Sequence, residues 1–193
     1  MSFNAKGVFP GLLMVTEYEG YPVAVMDTNT QEGVAFMVDT AGAEACTLTD
    51  LVGLCYGDTP WVGRVIRIGD RVIDELPIPA LGAVLEHELE HIRRADAGYL
   101  GLSVPQIVAM EVACDNAGAR KYGPEAMATG VFSCVTLAAL YGGMTPMQGL
   151  DTVNKRQPGR FDALVSVPGK AVTVQRVIEK VAEIVTAAMT APQ

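Results

Sequence analysis

Val84-Leu85-Glu86-His87-Glu88-Leu89-Glu90-His91-Ile92 is the most informative stretch of the chain. Apolar residues at Leu81, Val84, Leu85, Leu89 and Ile92 recur at helical spacing, and Pro79 stands where a first turn tolerates proline. A helix is predicted over 79–96. Both histidines of the protein lie in it, four residues apart, and so project from one face about one turn from each other. Two imidazoles in that relation can share a tetrahedral Zn²⁺. Glu88 follows the first histidine, placed to take a proton from a metal-activated water and pass it to a leaving amine. The string His87-Glu88-Leu89-Glu90-His91 is an HExxH motif in its required helical context. The plainer reading is a solvated face rich in charge, with Glu86, Glu90, Arg93 and Arg94 beside it.

A catalytic zinc site needs a third protein ligand and an open position. Asp96, Glu111 and Glu90 are the candidates. An HExxH motif continuing into a turn places its third ligand six residues after the second histidine, which is Ala97, so Asp96 is out of register. Glu90 sits on the same helix at the flank of the histidine face. Glu111 lies on the next predicted helix, and Asp115 one turn later shares its face. Glu111 can then bind metal while Asp115 accepts the N–H of a ligand histidine, fixing its tautomer. Cys114 between them reads as a buried small hydrophobe beside Val112 and Ala113 rather than a thiolate ligand.

HExxH with a downstream ExxxD, here Glu111-Val112-Ala113-Cys114-Asp115, resembles the gluzincin metallopeptidases. The similarity is greatest to the family of the HtpX-like heat-shock proteases and the prenyl-protein (CAAX) proteases. It covers roughly residues 62–128 and includes Ala119 and Gly123 in an ExxxDxxxAxxxG stretch. The resemblance implies a zincin-like fold, Zn²⁺ on His87, His91 and Glu111, Glu88 as general base and Asp115 as partner of a histidine. It also implies that the strand before the helix, 62–68, binds a peptide substrate by β-addition. The chain departs from the family in two ways. Many members carry membrane spans, and the family commonly uses a downstream His, Arg or Tyr to stabilise the oxyanion. No third histidine exists, and Tyr122, Tyr141, Arg156 and Arg160 all stay open for that role. The expected function is a zinc-dependent metallopeptidase acting on a peptide or protein. The alternatives are an inactive zincin-fold binding or structural protein, and a protease that processes only itself or one partner.

The flanking sequence gives an α+β expectation, one domain over 1–193 that is β-rich through 76 and helical from 79. Apolar runs at 12–15, 21–26 and 34–38 alternate with Gly, Asn, Asp and Thr and read as strands. A short helix is predicted over 43–56. Residues 61–68 read as a strand anchored by Trp61, and Gly69-Asp70 as a tight turn into an extended Arg71-Val72-Ile73. Ser103 with Gln106 makes a capping box for a helix to Tyr122, and Gly123-Pro124 separates it from an apolar helix to Tyr141. Thr145-Pro146 starts a further turn or two, and 172–189 is the last helix.

Half of the 193 residues are apolar and 19% are charged, which excludes a disordered chain. The net charge of −8, with no lysine or arginine cluster, excludes nucleic-acid binding as the main task. Residues 126–150 carry no charge, a length that could span a bilayer. Gly130, Gly142-Gly143 and Pro146 interrupt them, so a buried helix and a turn are expected. Without a signal-like N-terminus, an intracellular soluble protein is expected, with Cys46, Cys55, Cys114 and Cys134 as free thiols; a Cys46–Cys55 disulfide is the alternative.

Overall fold

The structure, a computed structural model, describes residues 11–30, 38–40, 65–96, 101–166 and 174–190. Strands β1 (Leu12–Tyr18) and β2 (Tyr21–Met26) form a hairpin. Its two-residue turn, Glu19-Gly20, has both φ angles positive at 52° and 80°, the backbone that matches strand twist. Strand β3 (Val38–Thr40) and strand β4 (Ile66–Gly69) complete a mixed sheet of order β1-β2-β4-β3. β4 runs parallel to β2 and antiparallel to β3. Seven helices follow among the described residues: α1 (Asp70–Glu75), α2 (Ile78–Arg93), α3 (Val104–Tyr122), α4 (Pro124–Tyr141), α5 (Pro146–Arg156), α6 (Arg160–Val165) and α7 (Val174–Thr190).

The mixed architecture, strands first and helices after, matches the sequence reading, with four corrections. Residues 71–73 are helical, not extended. Gly69 caps α1, and Asp70 accepts hydrogen bonds from the Thr28 N–H at 3.1 Å, the Thr28 hydroxyl at 2.6 Å and the Arg71 N–H at 2.8 Å. β4 has no free edge for β-addition, because β2 and β3 occupy its two sides. α5 runs three turns rather than one or two, started by a capping box between Thr145 and Gln148. α6 has no counterpart in the sequence reading. The predicted helix over 43–56, residues 61–64, and Cys46 with Cys55 lie outside the described residues. Cys114 and Cys134 are free thiols. The charge-free stretch becomes α4 and the start of α5, bent by 119° from one another. No single helix among the described residues is long and apolar enough to cross a membrane.

The core joins sheet and helices: Val23, Val25, Ile66 and Ile68 pack with Val72, Ala80, Val84, Leu89, Leu137 and Ile184. α2 lies at its centre. Two glycines allow its neighbours to approach backbone to backbone. A Cβ on Gly118 of α3 would stand 2.5 Å from the Ala83 carbonyl oxygen, and one on Gly130 of α4 would stand 2.9 Å from that of Ala80. Enclosed this way, α2 buries Glu86, His87, Glu88 and His91 together with Ala80, Ala83, Val84 and Leu89. Burying four such groups on one helix is unfavourable unless each finds partners.

Candidate metal centre

α2 and α3 are the most extensively packed pair of elements, and their contact sets the site. The HExxH turn of α2 faces the middle of α3, which carries Glu111, Cys114 and Asp115, all buried. The Nε2 atoms of His87 and His91 are 3.1 Å apart. Glu111 Oε2 is 3.6 Å from His87 Nε2, and Glu111 Oε1 is 3.4 Å from His91 Nε2. A tetrahedral Zn²⁺ with bonds of 2.0–2.1 Å requires ligand atoms about 3.3 Å apart. The two Nε2 atoms are close to that separation, and each meets a different oxygen of the Glu111 carboxylate at a comparable distance. Glu88 Oε1 is 3.9 Å from His87 Nε2, and its side chain is buried.

The far side of each imidazole meets a carboxylate. His87 Nδ1 is 2.9 Å from Asp115 Oδ1, although the approach is off the line of a good hydrogen bond. His91 Nδ1 is 3.0 Å from Asp96 Oδ2 and 3.4 Å from Cys114 Sγ. A carboxylate at Nδ1 favours the proton there, so Nε2 is left as a lone pair. Two lone pairs and a carboxylate facing one another are electrostatically unfavourable, and a cation or a proton among them relieves this.

Arg160 closes the cluster from below. It donates through Nε and Nη2 to the two Asp115 oxygens, each at 2.8 Å, and its Nη1 is 2.6 Å from Glu111 Oε2. Nη1 also donates to Gln157 Oε1 at 2.7 Å. Gly159, at φ 82°, ends the α5–α6 turn and starts α6 with Arg160 buried. Of the four residues left open for the oxyanion, Arg160 alone is tied to Glu111 and Asp115. Tyr122 bonds to Tyr18 and covers Gly82; Tyr141 packs on the sheet-side core; Arg156 is exposed.

Proton affinities follow this crowding. Burial alone would lower the His87 imidazole, but Asp115 and Glu111 outweigh it and raise its pKa from 6.5 to about 10. His91 is raised too, with burial again opposed by Glu111. Burial pushes Glu111 and Asp115 up. The histidines and Arg160 dominate and hold both well below the usual carboxylate range. Burial, aided by Glu111 and Asp96, pushes the Cys114 thiol up and keeps it neutral.

The structure therefore brings His87, Glu88, His91, Glu111 and Asp115 into one buried cluster. The sequence reading left Arg160 unresolved and set Asp96 aside. No family model, curated protein or solved structure matches the chain significantly.

Proposed function

We propose that this chain is a zinc-dependent metallopeptidase of gluzincin type with a zincin-like fold. His87, His91 and Glu111 hold Zn²⁺, and Glu88 is the general base. The observation that supports this best is the convergence of two buried imidazoles, their Nε2 atoms 3.1 Å apart, on the Glu111 carboxylate, whose two oxygens lie 3.4 Å from His91 Nε2 and 3.6 Å from His87 Nε2, with buried Glu88 beside them. The His₂Glu set with one open position is a donor set of catalytic zinc. A Zn²⁺ ion there supplies Lewis acidity to a water and to a scissile carbonyl.

The chain's own groups do the rest. Glu88 takes a proton from the attacking water and returns it to the departing amine. Asp115, 2.9 Å from His87 Nδ1, favours the proton on that nitrogen and leaves Nε2 to the ligand side. Arg160 clamps Glu111 and Asp115 in place, and its guanidinium is spent on that positioning. The substrate is a peptide or protein segment. With β4 internal, β3 is the strand to which it would add, since β3 pairs with β4 alone among the described strands and contacts α2.

A second reading is a zinc-holding protein without turnover. Commitment of Arg160 to Glu111 and Asp115 favours it, because no oxyanion donor is left at the site among the four considered. Glu88→Gln separates the two readings. It is expected to keep zinc and lose cleavage of an unstructured protein such as casein. Equal cleavage by wild type and variant removes Glu88 from the reaction. No cleavage by either favours the second reading.

A further inference from the structure

We infer that Asp96 is the positioning residue of His91, as Asp115 is of His87, so that each ligand histidine is oriented by its own carboxylate. The inference rests on the zinc reading above. Asp96 lies just past the end of α2, where the chain would ordinarily leave the site. It is turned back by a specific cap. The Asp96 N–H donates to the His91 carbonyl at 3.0 Å, and the Ala95 N–H donates to the Ile92 carbonyl at 3.0 Å. This is the paired pattern of a Schellman cap, with Ala95 at the left-handed position. Its φ is +55°, a backbone that residues with a Cβ rarely adopt, and one retained where surrounding contacts over-determine it.

The cap brings the Asp96 carboxylate beneath the residue whose carbonyl it caps. Asp96 Oδ2 is 3.0 Å from His91 Nδ1 and accepts the proton there, which leaves Nε2 unprotonated towards His87 and Glu111. Arg94 Nε donates to the same oxygen at 3.2 Å and fixes it from the solvent side. His91, Asp96 and Cys114 together also have the spacing of a metal-ligand triad. The arginine on Asp96 Oδ2 opposes a second cation there, and the orienting role uses every contact that Asp96 makes.

Zinc affinity, measured by competition with a chromophoric chelator, tests this alongside the thermal midpoint of the metal-free protein and the Co²⁺ ligand-field spectrum. Asp96→Ala is expected to bind zinc about 10- to 100-fold more weakly, the range for lost carboxylate partners of ligand histidines, and to alter the Co²⁺ spectrum. Asp96→Asn keeps an uncharged acceptor and is expected to fall between Asp96→Ala and wild type. A loss of affinity with the metal-free midpoint unchanged separates orientation of His91 from a purely structural role. Wild-type zinc affinity in both variants overturns the inference. His91→Ala, run in parallel, distinguishes the failures: if it loses zinc while Asp96→Ala does not, this inference alone fails; if it keeps zinc, the zinc reading fails as well.

Discussion

Two buried acidic clusters sit on adjacent residues of α2, and they are balanced differently. Glu86 meets two cations directly: Lys121 Nζ at 2.7 Å and Arg93 Nη1 at 2.5 Å, with the Tyr18 hydroxyl donating at 3.1 Å. Burial pushes its carboxyl up, and Lys121 and Arg93 more than reverse that. This cluster ties the end of the β1–β2 hairpin to α2 and α3, and the two cations on Glu86 each meet a second carboxylate, Glu19 for Lys121 and Glu90 for Arg93. On the next residue, His87 enters a cluster in which Glu88, Glu111, Asp115 and Asp96 gather round two histidines, with Arg160 and Arg94 as the cations seen in contact among the described residues. Protons on the histidines or a divalent ion would add positive charge at their shared Nε2 face. A structural ion network and a candidate cation-binding site can thus share a helix and be told apart by what their carboxylates face: lysine and arginine in one, a histidine pair as well as arginine in the other.

That contrast gives graded outcomes. The largest belongs to Arg160→Ala, which leaves Glu111 and Asp115 buried without their cation. A loss of about 3 kcal/mol is expected in chemical denaturation of the metal-free protein, and a smaller loss with zinc bound. Glu86→Ala breaks the other cluster instead. Lys121 and Arg93 are more than a third exposed, so solvent screens those pairs, and about 1–2 kcal/mol is expected, with zinc content unchanged. If Glu86→Ala removed zinc, the division between the two clusters would be wrong.

The same division predicts pH behaviour. The folded pKa of His87, about 10, lies above its ordinary 6.5. Its contribution to metal-free stability is therefore fully present below about 6.5 and is lost as pH rises through about 10. Glu111 and Asp115 are depressed, so their contribution is fully present above the ordinary carboxylate range and is lost as pH falls below that range towards their depressed values. Zinc replaces the histidine protons, so binding at pH near 7 should release protons. Calorimetry in buffers of different ionisation heat measures that release. The zinc-loaded protein should lose less stability than the metal-free protein between about pH 7 and 10.

Smaller effects probe how the site is held. Gly118→Ala forces α3 away from the Ala83 carbonyl, two turns from Glu111, and is expected to cost about 1–3 kcal/mol. Ala95→Gly relieves the left-handed residue before Asp96 and is expected to stabilise the fold by about 1 kcal/mol in thermal unfolding.

What the sequence made legible depended on whether a signal was local. α2, α3, α4 and α7 were readable because their signals lie within each segment: apolar residues throughout, proline in the first turn of α2, α3 and α4, and the Ser103–Gln106 box of α3. α1 was not, because Val72 and Ile73 suit a strand and the bonds from Thr28 to Asp70 come from a residue 42 positions away. The pairing of β4 on both sides is equally non-local. Within the site, spacing made His87, Glu88 and His91 visible, and the i, i+4 relation did the same for Glu111 and Asp115. Asp96 looked out of register because a helical count ignores the reversal at Ala95, and alanine gives no hint of a left-handed turn. Arg160 reaches Asp115 across 45 positions of chain, so nothing near it in the sequence distinguished it from Arg156.

Metal analysis of the purified protein beside His91→Ala, each after exposure to zinc and removal of the excess, addresses the histidine cluster itself. The account predicts one equivalent of zinc in the wild type and none in His91→Ala, with both proteins folded. Equal zinc in the two, or none in either, would contradict it.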